Sequence, residues 1–221
     1  MRARPLGHDY HGLHVLADDD PRWLRDPVEQ TRAACDGGAP IIQLRTKHAT
    51  DQQTLDWALE IRSITRDVGA RFIVNDRFDL ALLAEADGVH LGQNDLCPNA
   101  LPASARKKLA VGRSTHTPVQ LEATRDEDVD YVAFGPVFGT TSKASDYEAR
   151  GLEALQAASR LASPRPLVAI GGVELANLAG LFAAGARGFA VISVVAAATD
   201  PVQKTRDLVA QIESLFSETA Q

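Results

Sequence analysis

The sequence predicts an α/β protein, and within that class a single-domain (β/α)8 TIM barrel. Short runs of apolar and β-branched residues alternate with longer segments of helical periodicity from one end of the chain to the other. Eight such runs occur, at about 25 residues per unit. Regular alternation over eight units is typical of a closed parallel barrel rather than of an open sheet.

The strand assignments follow from apolar runs that end in glycine, polar or charged residues. The eight predicted strands are Leu13–Ala17, Ile41–Leu44, Phe72–Val74, Gly88–Leu91, Leu109–Gly112, Tyr131–Val137, Leu167–Ile170 and Phe189–Ile192.

The segments between the strands have amphipathic helical patterns. The predicted helices include Asp51–Asp67, Pro118–Thr124, Leu152–Leu161 and Glu174–Ala184. A final helix is expected to begin at Asp200-Pro201 and to extend to about Phe216, because aspartate is a good N-cap and proline is favoured at the first helical position.

The chain of 221 residues is predicted to form one domain, since no linker or low-complexity segment divides it. We expect an N-terminal extension at residues 1–10 and the barrel at residues 11–221. A domain of this size buries roughly 70% of the surface of its unfolded chain, which is enough for a stable core.

Composition narrows the range of partners and locations. The net charge of −6 gives no domain-wide basic field, so nucleic acid is not an expected partner. No stretch reaches the roughly 20 apolar residues of a membrane span, and the first ten residues lack the apolar core of a signal peptide. Two cysteines are too few for a disulfide framework. We expect a cytoplasmic protein that acts on small molecules, with homo-oligomer formation left open.

Polar and cationic side chains occur at the end of the second predicted strand. Gln43, Arg45 and Lys47 occupy alternate positions, so they are expected to share one face. Ile42 and Leu44 between them are expected to face the helices. Because functional residues of such barrels lie at the C-terminal ends of strands, this segment is predicted to bind an anion.

Carboxylates follow the next two predicted strands. Asp76 comes after the third strand and Asp95 after the fourth. Each alone fits a helix cap or a turn as well as a metal ligand. On neighbouring strands beside the cations of the second strand, however, they form the oxygen donor set that a diphosphate-bound Mg²⁺ needs. The sequence therefore predicts Mg²⁺ as the cofactor.

The second half of the chain contributes glycine and hydroxyl groups in place of carboxylates. Gly171-Gly172 follows the seventh strand and Ser193 the eighth, where these barrels most often bind phosphate. The loop after the sixth strand adds Thr140, Thr141, Ser142 and Lys143. This side suits a monophosphate, so two phosphorylated substrates are expected to meet at the barrel mouth.

Taken together, the motifs resemble those of the thiamine-phosphate synthase family, within the superfamily that also contains thiazole tautomerases. The resemblance extends from the first to the eighth strand, and as a set the motifs are highly specific. Thr46, Asn94 and Gly139 depart from the residues common in that family. The matching segments are Ile42–Lys47, Ile73–Arg77, Gly88–Asp95, Gly112–His116, Gly135–Lys143, Ala169–Gly172 and Ala190–Ser193.

The resemblance implies an activity: an aminopyrimidine, 4-amino-2-methyl-5-(diphosphooxymethyl)pyrimidine, and a (carboxy)thiazole phosphate are joined to give thiamine phosphate and diphosphate. The aminopyrimidine can stabilise a cation at its methylene group, so diphosphate can depart before the thiazole nitrogen attacks. No general base is needed for this attack, and the sequence contains no Ser-His-Asp-like constellation.

The resemblance also implies residue roles. Asp76 and Asp95 would hold Mg²⁺, and the catalytic residues would be Arg45, Lys47, Ser114 and Lys143. The implied contacts of the aminopyrimidine diphosphate are Gln43, Leu44, Arg45, Thr46, Lys47, Asn75, Ser114 and Lys143. Those of the thiazole phosphate are Thr140, Thr141, Ser142, Gly171, Gly172, Ile192 and Ser193.

Two other functions are compatible with parts of the sequence. A thiazole tautomerase-like isomerase would use His116 for proton transfer, because the unperturbed pKa of histidine is near neutral. Such an enzyme does not need both carboxylates, and this chain keeps them. A non-catalytic barrel that binds phosphorylated ligands is the third alternative.

Overall fold

Eight parallel strands close into one barrel in the computed structural model, which describes residues 10–139 and 147–219. Pairing of the first strand with both the second and the eighth closes the sheet. The predicted fold class is therefore confirmed. The strands are β1 (Gly12–Asp18), β2 (Ile41–Arg45), β3 (Arg71–Asn75), β4 (Gly88–Leu91), β5 (Ala110–Thr115), β6 (Tyr131–Phe134), β7 (Leu167–Ile170) and β8 (Gly188–Val191).

Helices connect the strands on the outside of the barrel. They are α1 (Pro27–Asp36), α2 (Asp51–Val68), α3 (Phe78–Leu83), α4 (Ala103–Arg106), α5 (Pro118–Ala123), α6 (Gly151–Ala162), α7 (Leu178–Ala183), α8 (Ser193–Ala196) and α9 (Pro201–Thr219). Within the described ranges, none of them has both the length and the apolar character needed to cross a membrane.

Local signals explain several helix ends. Asp26 and Glu29 form a capping box at the start of α1, which satisfies two backbone N–H groups that have no partner within the helix. Gly69 ends α2 in the left-handed conformation, with φ 74°. These signals are local, so such boundaries can be read from the sequence.

Six predicted strand ends lie within one residue of the observed ones, whereas the fifth strand was expected to end at Gly112 and extends to Thr115. The sixth strand was expected to reach Val137 but ends at Phe134, because Pro136 has no N–H group for the sheet. The strand β2 ends at Arg45, so Lys47 lies in the following loop. There the Asp19 carboxylate accepts the backbone N–H groups of Lys47 and His48, at 2.7 and 2.8 Å, and turns the chain.

The barrel interior is mostly aromatic and apolar near the strand starts, where His14 is also buried, and it carries several polar side chains nearer the strand ends. Tyr10 stacks on Tyr131 with ring centroids 4.7 Å apart, near the start of the strands. Ile41 and Ile73 complete this lower layer. Six buried polar side chains lie further along the strands: Asp18, Gln43, Arg45, Asn75, His90 and Ser114. The polar side chains thus gather towards the C-terminal end, where such barrels bind their ligands.

Candidate active site

A cavity of about 540 Å³ opens at the C-terminal ends of the strands. This volume is within the range of small-molecule sites. Residues from the loop after β2 and from the ends of β3 to β8 line it. Nine of the predicted site residues are among them: Lys47, Asn75, Asp76, Asp95, Ser114, Gly171, Gly172, Ile192 and Ser193.

Two carboxylates meet on one side of the cavity. Asp76 and Asp95 are joined by a hydrogen bond between their side chains. Burial, followed by this hydrogen bond, raises the pKa of Asp95. Burial also acts to raise the pKa of Asp76, but hydrogen bonds from Asp95 and Lys47 outweigh it and lower that pKa. The pKa values of the two carboxylates are therefore displaced in opposite directions, as expected for neighbouring acidic groups that interact.

The backbone holds both carboxylates in place. Asp76 has φ 65°, a left-handed conformation that is uncommon for residues other than glycine. Its N–H donates to the carbonyl of His90 at 2.8 Å. The N–H of Gly92 donates to Asp95 Oδ2 at 2.6 Å, and Lys47 Nζ donates to Asp76 Oδ2 at 2.5 Å. A cation and an acidic pair therefore share one corner of the cavity.

This donor set fits Mg²⁺. Across residues 10–139 and 147–219, no three histidine, cysteine, aspartate or glutamate side chains cluster as a complete metal cage. Mg²⁺ does not require one, because it keeps several waters and is commonly held by one or two carboxylates together with substrate phosphates. A divalent cation held by Asp76 and Asp95 would compensate the negative charge of both carboxylates.

A chain of hydrogen bonds leads from the barrel interior to the cavity. Tyr131 Oη lies 3.0 Å from His90 Nδ1, and His90 Nε2 lies 2.8 Å from Ser114 Oγ. Tyr131 and His90 are buried, whereas Ser114 also lines the cavity. Ser114 is therefore a cavity residue whose hydroxyl is positioned by His90 in the barrel interior.

Glycines form the opposite side of the cavity. Gly171 and Gly172 follow β7 with φ 96° and 66°. A Cβ atom on Gly172 would lie 2.6 Å from Cβ of Phe138, so only glycine fits this close approach of two loops. The Asn177 amide donates to the carbonyl of Gly172 at 2.8 Å and fixes the turn.

Four predicted residues at the end of β2 do not line the cavity with their side chains. Leu44 is fully buried in the core between barrel and helices. The Thr46 hydroxyl pairs with that of Thr54 at 3.1 Å. Gln43 and Arg45 are buried, and their alternation with Leu44 directs them into the barrel. Substrate contact by these four residues stays a prediction.

Comparisons with known proteins agree with the geometry. A family model described as thiamine monophosphate synthase matches residues 13–195. The thiamine-phosphate synthase of Natronomonas pharaonis is 41% identical over 206 residues, which cover 92% of this chain and 96% of that protein. The thiamine-phosphate synthase of Chloroflexus aurantiacus is 44% identical over 197 residues, with 89% and 90% coverage. The chain belongs to the thiamine-phosphate synthase family.

A solved structure supports the assignment to this family. Thiamine phosphate pyrophosphorylase from Pyrococcus furiosus matches with a TM-score of 0.83 and 32% identity, over 94% of this chain and 98% of that chain. The resemblance inferred from the sequence motifs is thus confirmed as family membership.

One family segment cannot be placed. Thr140, Thr141, Ser142 and Lys143 lie outside the described residues, so their predicted contacts remain predictions. The chain is described again from Tyr147, whose ring stacks on His116 with centroids 4.2 Å apart. Both rings line the cavity, and His116 Nδ1 lies 2.6 Å from the carbonyl oxygen of Gly135.

Asp18 is a buried partner of the predicted site residue Arg45 that the sequence alone did not single out. It is fully buried at the end of β1, where its carboxylate pairs with Arg45 and accepts the indole N–H of Trp23 at 2.8 Å. Gln30 donates to its backbone carbonyl at 2.8 Å. The available signal was a carboxylate directly after a predicted strand, as at Asp76. The predicted first strand ended one residue earlier, and Asp19 and Asp20 follow directly, so the sequence did not show which of the three aspartates is buried.

Proposed function

We propose that this protein catalyses the synthesis of thiamine phosphate from an aminopyrimidine diphosphate and a thiazole phosphate, with release of diphosphate. The observation that carries the proposal is the Asp76–Asp95 pair beside Lys47, on one side of a cavity whose other side is the Gly171-Gly172 turn. One side suits a metal-bound diphosphate, and the other a monophosphate. Membership in the family supports the same assignment.

The acidic side of the cavity would hold the diphosphate. Mg²⁺ held by Asp76 and Asp95 would supply positive charge that stabilises the leaving diphosphate. Lys47 contributes a second cation at the same corner. Arg45 is held by Asp18, and its Nε has no hydrogen-bond partner among residues 10–139 and 147–219. This Nε is buried, and contact of Arg45 with the diphosphate stays a prediction.

Bond breaking and bond formation need no proton transfer by the protein. The methylene C–O bond breaks and its electron pair leaves with the diphosphate, while the aminopyrimidine stabilises the cation. The lone pair of the thiazole nitrogen then forms the new C–N bond. The protein therefore acts by electrostatic stabilisation and by holding the two substrates together.

The isomerase alternative rests on His116, which lines the cavity. Its Nδ1 already faces the Gly135 carbonyl and its ring is stacked on Tyr147. We therefore assign it a role in shaping the cavity wall. The carboxylate pair favours the synthase reaction, because the proton transfer of an isomerase does not call for it. The cytoplasmic location and homo-oligomer formation stay predictions.

The deciding experiment incubates the purified protein with both substrates, with and without Mg²⁺, and follows thiamine phosphate and diphosphate. We expect both products in equal amounts with Mg²⁺ and strongly reduced formation after chelation. Isomerisation of the thiazole alone would favour the tautomerase alternative. Binding of the substrates without any turnover would favour the non-catalytic barrel.

A second experiment tests the metal ligands. Asp76→Asn should lower turnover at least about a hundredfold, since it removes a charged ligand from the site. Asp56→Asn, on the exposed face of α2, is the matched control and should keep full activity. An Asp76→Asn enzyme with unchanged rate and Mg²⁺ dependence would refute the metal role. Thermal melts of both variants check that folding is retained.

A further inference from the structure

The buried chain of hydrogen bonds beneath Ser114 has a direction. The imidazole of His90 lies between the Tyr131 hydroxyl and the Ser114 hydroxyl, at 3.0 and 2.8 Å. A neutral imidazole donates through one nitrogen and accepts through the other. Two arrangements of the protons are therefore possible. In one the Ser114 hydroxyl can donate a hydrogen bond into the cavity, and in the other it can only accept one.

In the first arrangement, the Tyr131 hydroxyl donates to Nδ1 and Nε2–H donates to Ser114 Oγ. The hydroxyl proton of Ser114 is then available to the cavity. In the second, Nδ1–H donates to the Tyr131 oxygen, and Ser114 donates its proton to Nε2. The serine would then present only lone pairs to a ligand.

The surroundings of Tyr131 favour the first arrangement. Its side chain is about 1% exposed, and His90 is the hydrogen-bond partner of its hydroxyl within the part of the chain that the structure describes. Burial raises the pKa of this phenol well above its ordinary value, so it stays protonated. In the second arrangement the buried proton of this hydroxyl would have no acceptor there, which is costly.

A glycine in β5 makes room for this series of hydrogen bonds. A Cβ atom at Gly112 would lie 2.2 Å from Cζ of Tyr131 and 2.5 Å from Nδ1 of His90. Glycine thus leaves the space in which the two rings meet. Tyr131 is further held from below by the stacked ring of Tyr10.

We propose that Tyr131, acting through His90, fixes the Ser114 hydroxyl as a hydrogen-bond donor into the cavity, where it binds an anionic oxygen of the diphosphate. Tyr131 and His90 are positioning residues, and Ser114 is the residue that contacts the ligand. The identity of the anion rests on the proposed function, whereas the direction of the chain does not.

The direct test is the protonation state of His90 in the unaltered protein, read from ¹⁵N shifts of histidine-labelled samples at pH 8. The His90 signals are identified by their loss in His90→Gln. We expect a proton on Nε2 and none on Nδ1. Any other pattern overturns the proposal, independently of whether the protein is a synthase.

The second test measures inorganic pyrophosphate binding with Mg²⁺ by calorimetry. Ser114→Ala should weaken binding about tenfold, which is the order expected for one hydrogen bond to a charged group. Tyr131→Phe should weaken it by about three- to tenfold, and the double variant no further than Ser114→Ala. Tyr10→Phe makes the same change in the partner ring and should leave affinity unchanged.

The outcomes separate this inference from the proposed function. Unchanged affinity in Ser114→Ala, fully additive losses in the double variant, or no pyrophosphate binding by the unaltered protein would each overturn the inference. The His90 proton position and the pyrophosphate affinities could both be as expected while no thiamine phosphate forms from the two substrates. That outcome would refute the proposed function alone.

Discussion

Single buried polar residues in this barrel depend on a few specific partners. Asp18 is fully buried, and its carboxylate is compensated by Arg45 and by the indole N–H of Trp23. His14 is also buried, and its Nε2 lies 2.9 Å from the carbonyl of Tyr10. Removing one partner from such an arrangement leaves an uncompensated group in a medium of low polarity. These positions should therefore be sensitive to substitution.

His14 gives a pH prediction at this scale. Burial lowers its pKa from 6.5 to about 4, so the unfolded chain binds more protons than the folded one between these values. The stabilising contribution of the neutral His14 is fully present above pH 6.5. Because of this group, the free energy of unfolding should fall by about 2 kcal/mol between pH 7 and pH 5. In His14→Gln most of this pH dependence of the unfolding free energy should disappear, as measured by urea unfolding at both pH values. His48→Gln, at an exposed site, should keep it.

An unchanged slope in His14→Gln would show that other groups cause the acid sensitivity. Glutamine is the appropriate replacement because its amide can still donate to the Tyr10 carbonyl. The comparison therefore removes the titrating group while keeping the hydrogen bond.

At the scale of elements, the loops after β6 and β7 form one unit. The N–H of Val137 donates to the carbonyl of Ile170, and that of Phe138 to the carbonyl of Gly171, at 2.9 and 3.0 Å. The Gly171-Gly172 turn adopts positive φ angles beneath this contact. The turn owes its shape to both loops, so a change in it should alter stability and ligand binding together.

Gly172→Ala tests this unit. Alanine would be strained at φ 66° and would place its Cβ 2.6 Å from Cβ of Phe138. We expect a loss of about 1–3 kcal/mol in the free energy of unfolding. Gly139→Ala is the matched control, because no described atom lies within 4 Å of a Cβ built there. Equal stability of the two variants in denaturant unfolding would contradict the strain argument.

At the scale of the whole molecule, closure of the barrel links ligand binding in the cavity to the stability of the fold. Each strand pairs with two neighbours, and β1 joins β8. The helix α9 packs against α1 and β1, and a Cβ atom at Gly37 would lie only 2.5 Å from Thr205. The cavity is lined from β3 round to β8. A ligand there contacts most of the barrel, so its binding free energy should stabilise the whole fold.

Thermal unfolding tests this coupling. Mg²⁺ with pyrophosphate at about 100 times its dissociation constant should stabilise the fold by about 2.7 kcal/mol. For a chain of this size that corresponds to a rise of about 5–10 °C in the melting temperature. Mg²⁺ alone should give a much smaller shift, and Asp76→Asn should abolish the combined effect. An equal shift in Asp76→Asn would mean that the ligand binds elsewhere.

The sequence by itself showed the alternation of apolar runs with helical segments. It also showed the polar groups that follow successive strands. Element type is a local property of periodicity and capping, so the barrel, and the placement of Asp76, Asp95, Ser114 and the Gly171-Gly172 turn at its mouth, could be predicted. The partners of these residues could not.

Tertiary structure alone decided which side chains meet. Arg45 pairs with Asp18, and Tyr131 reaches Ser114 through His90; the two members of each hydrogen bond are 24 to 41 residues apart. Such contacts depend on how the closed sheet is staggered and on where glycine leaves space, as at Gly112. No local pattern encodes either, because both arise only when strands from separate parts of the chain pair side by side, as β4, β5 and β6 do at Gly112.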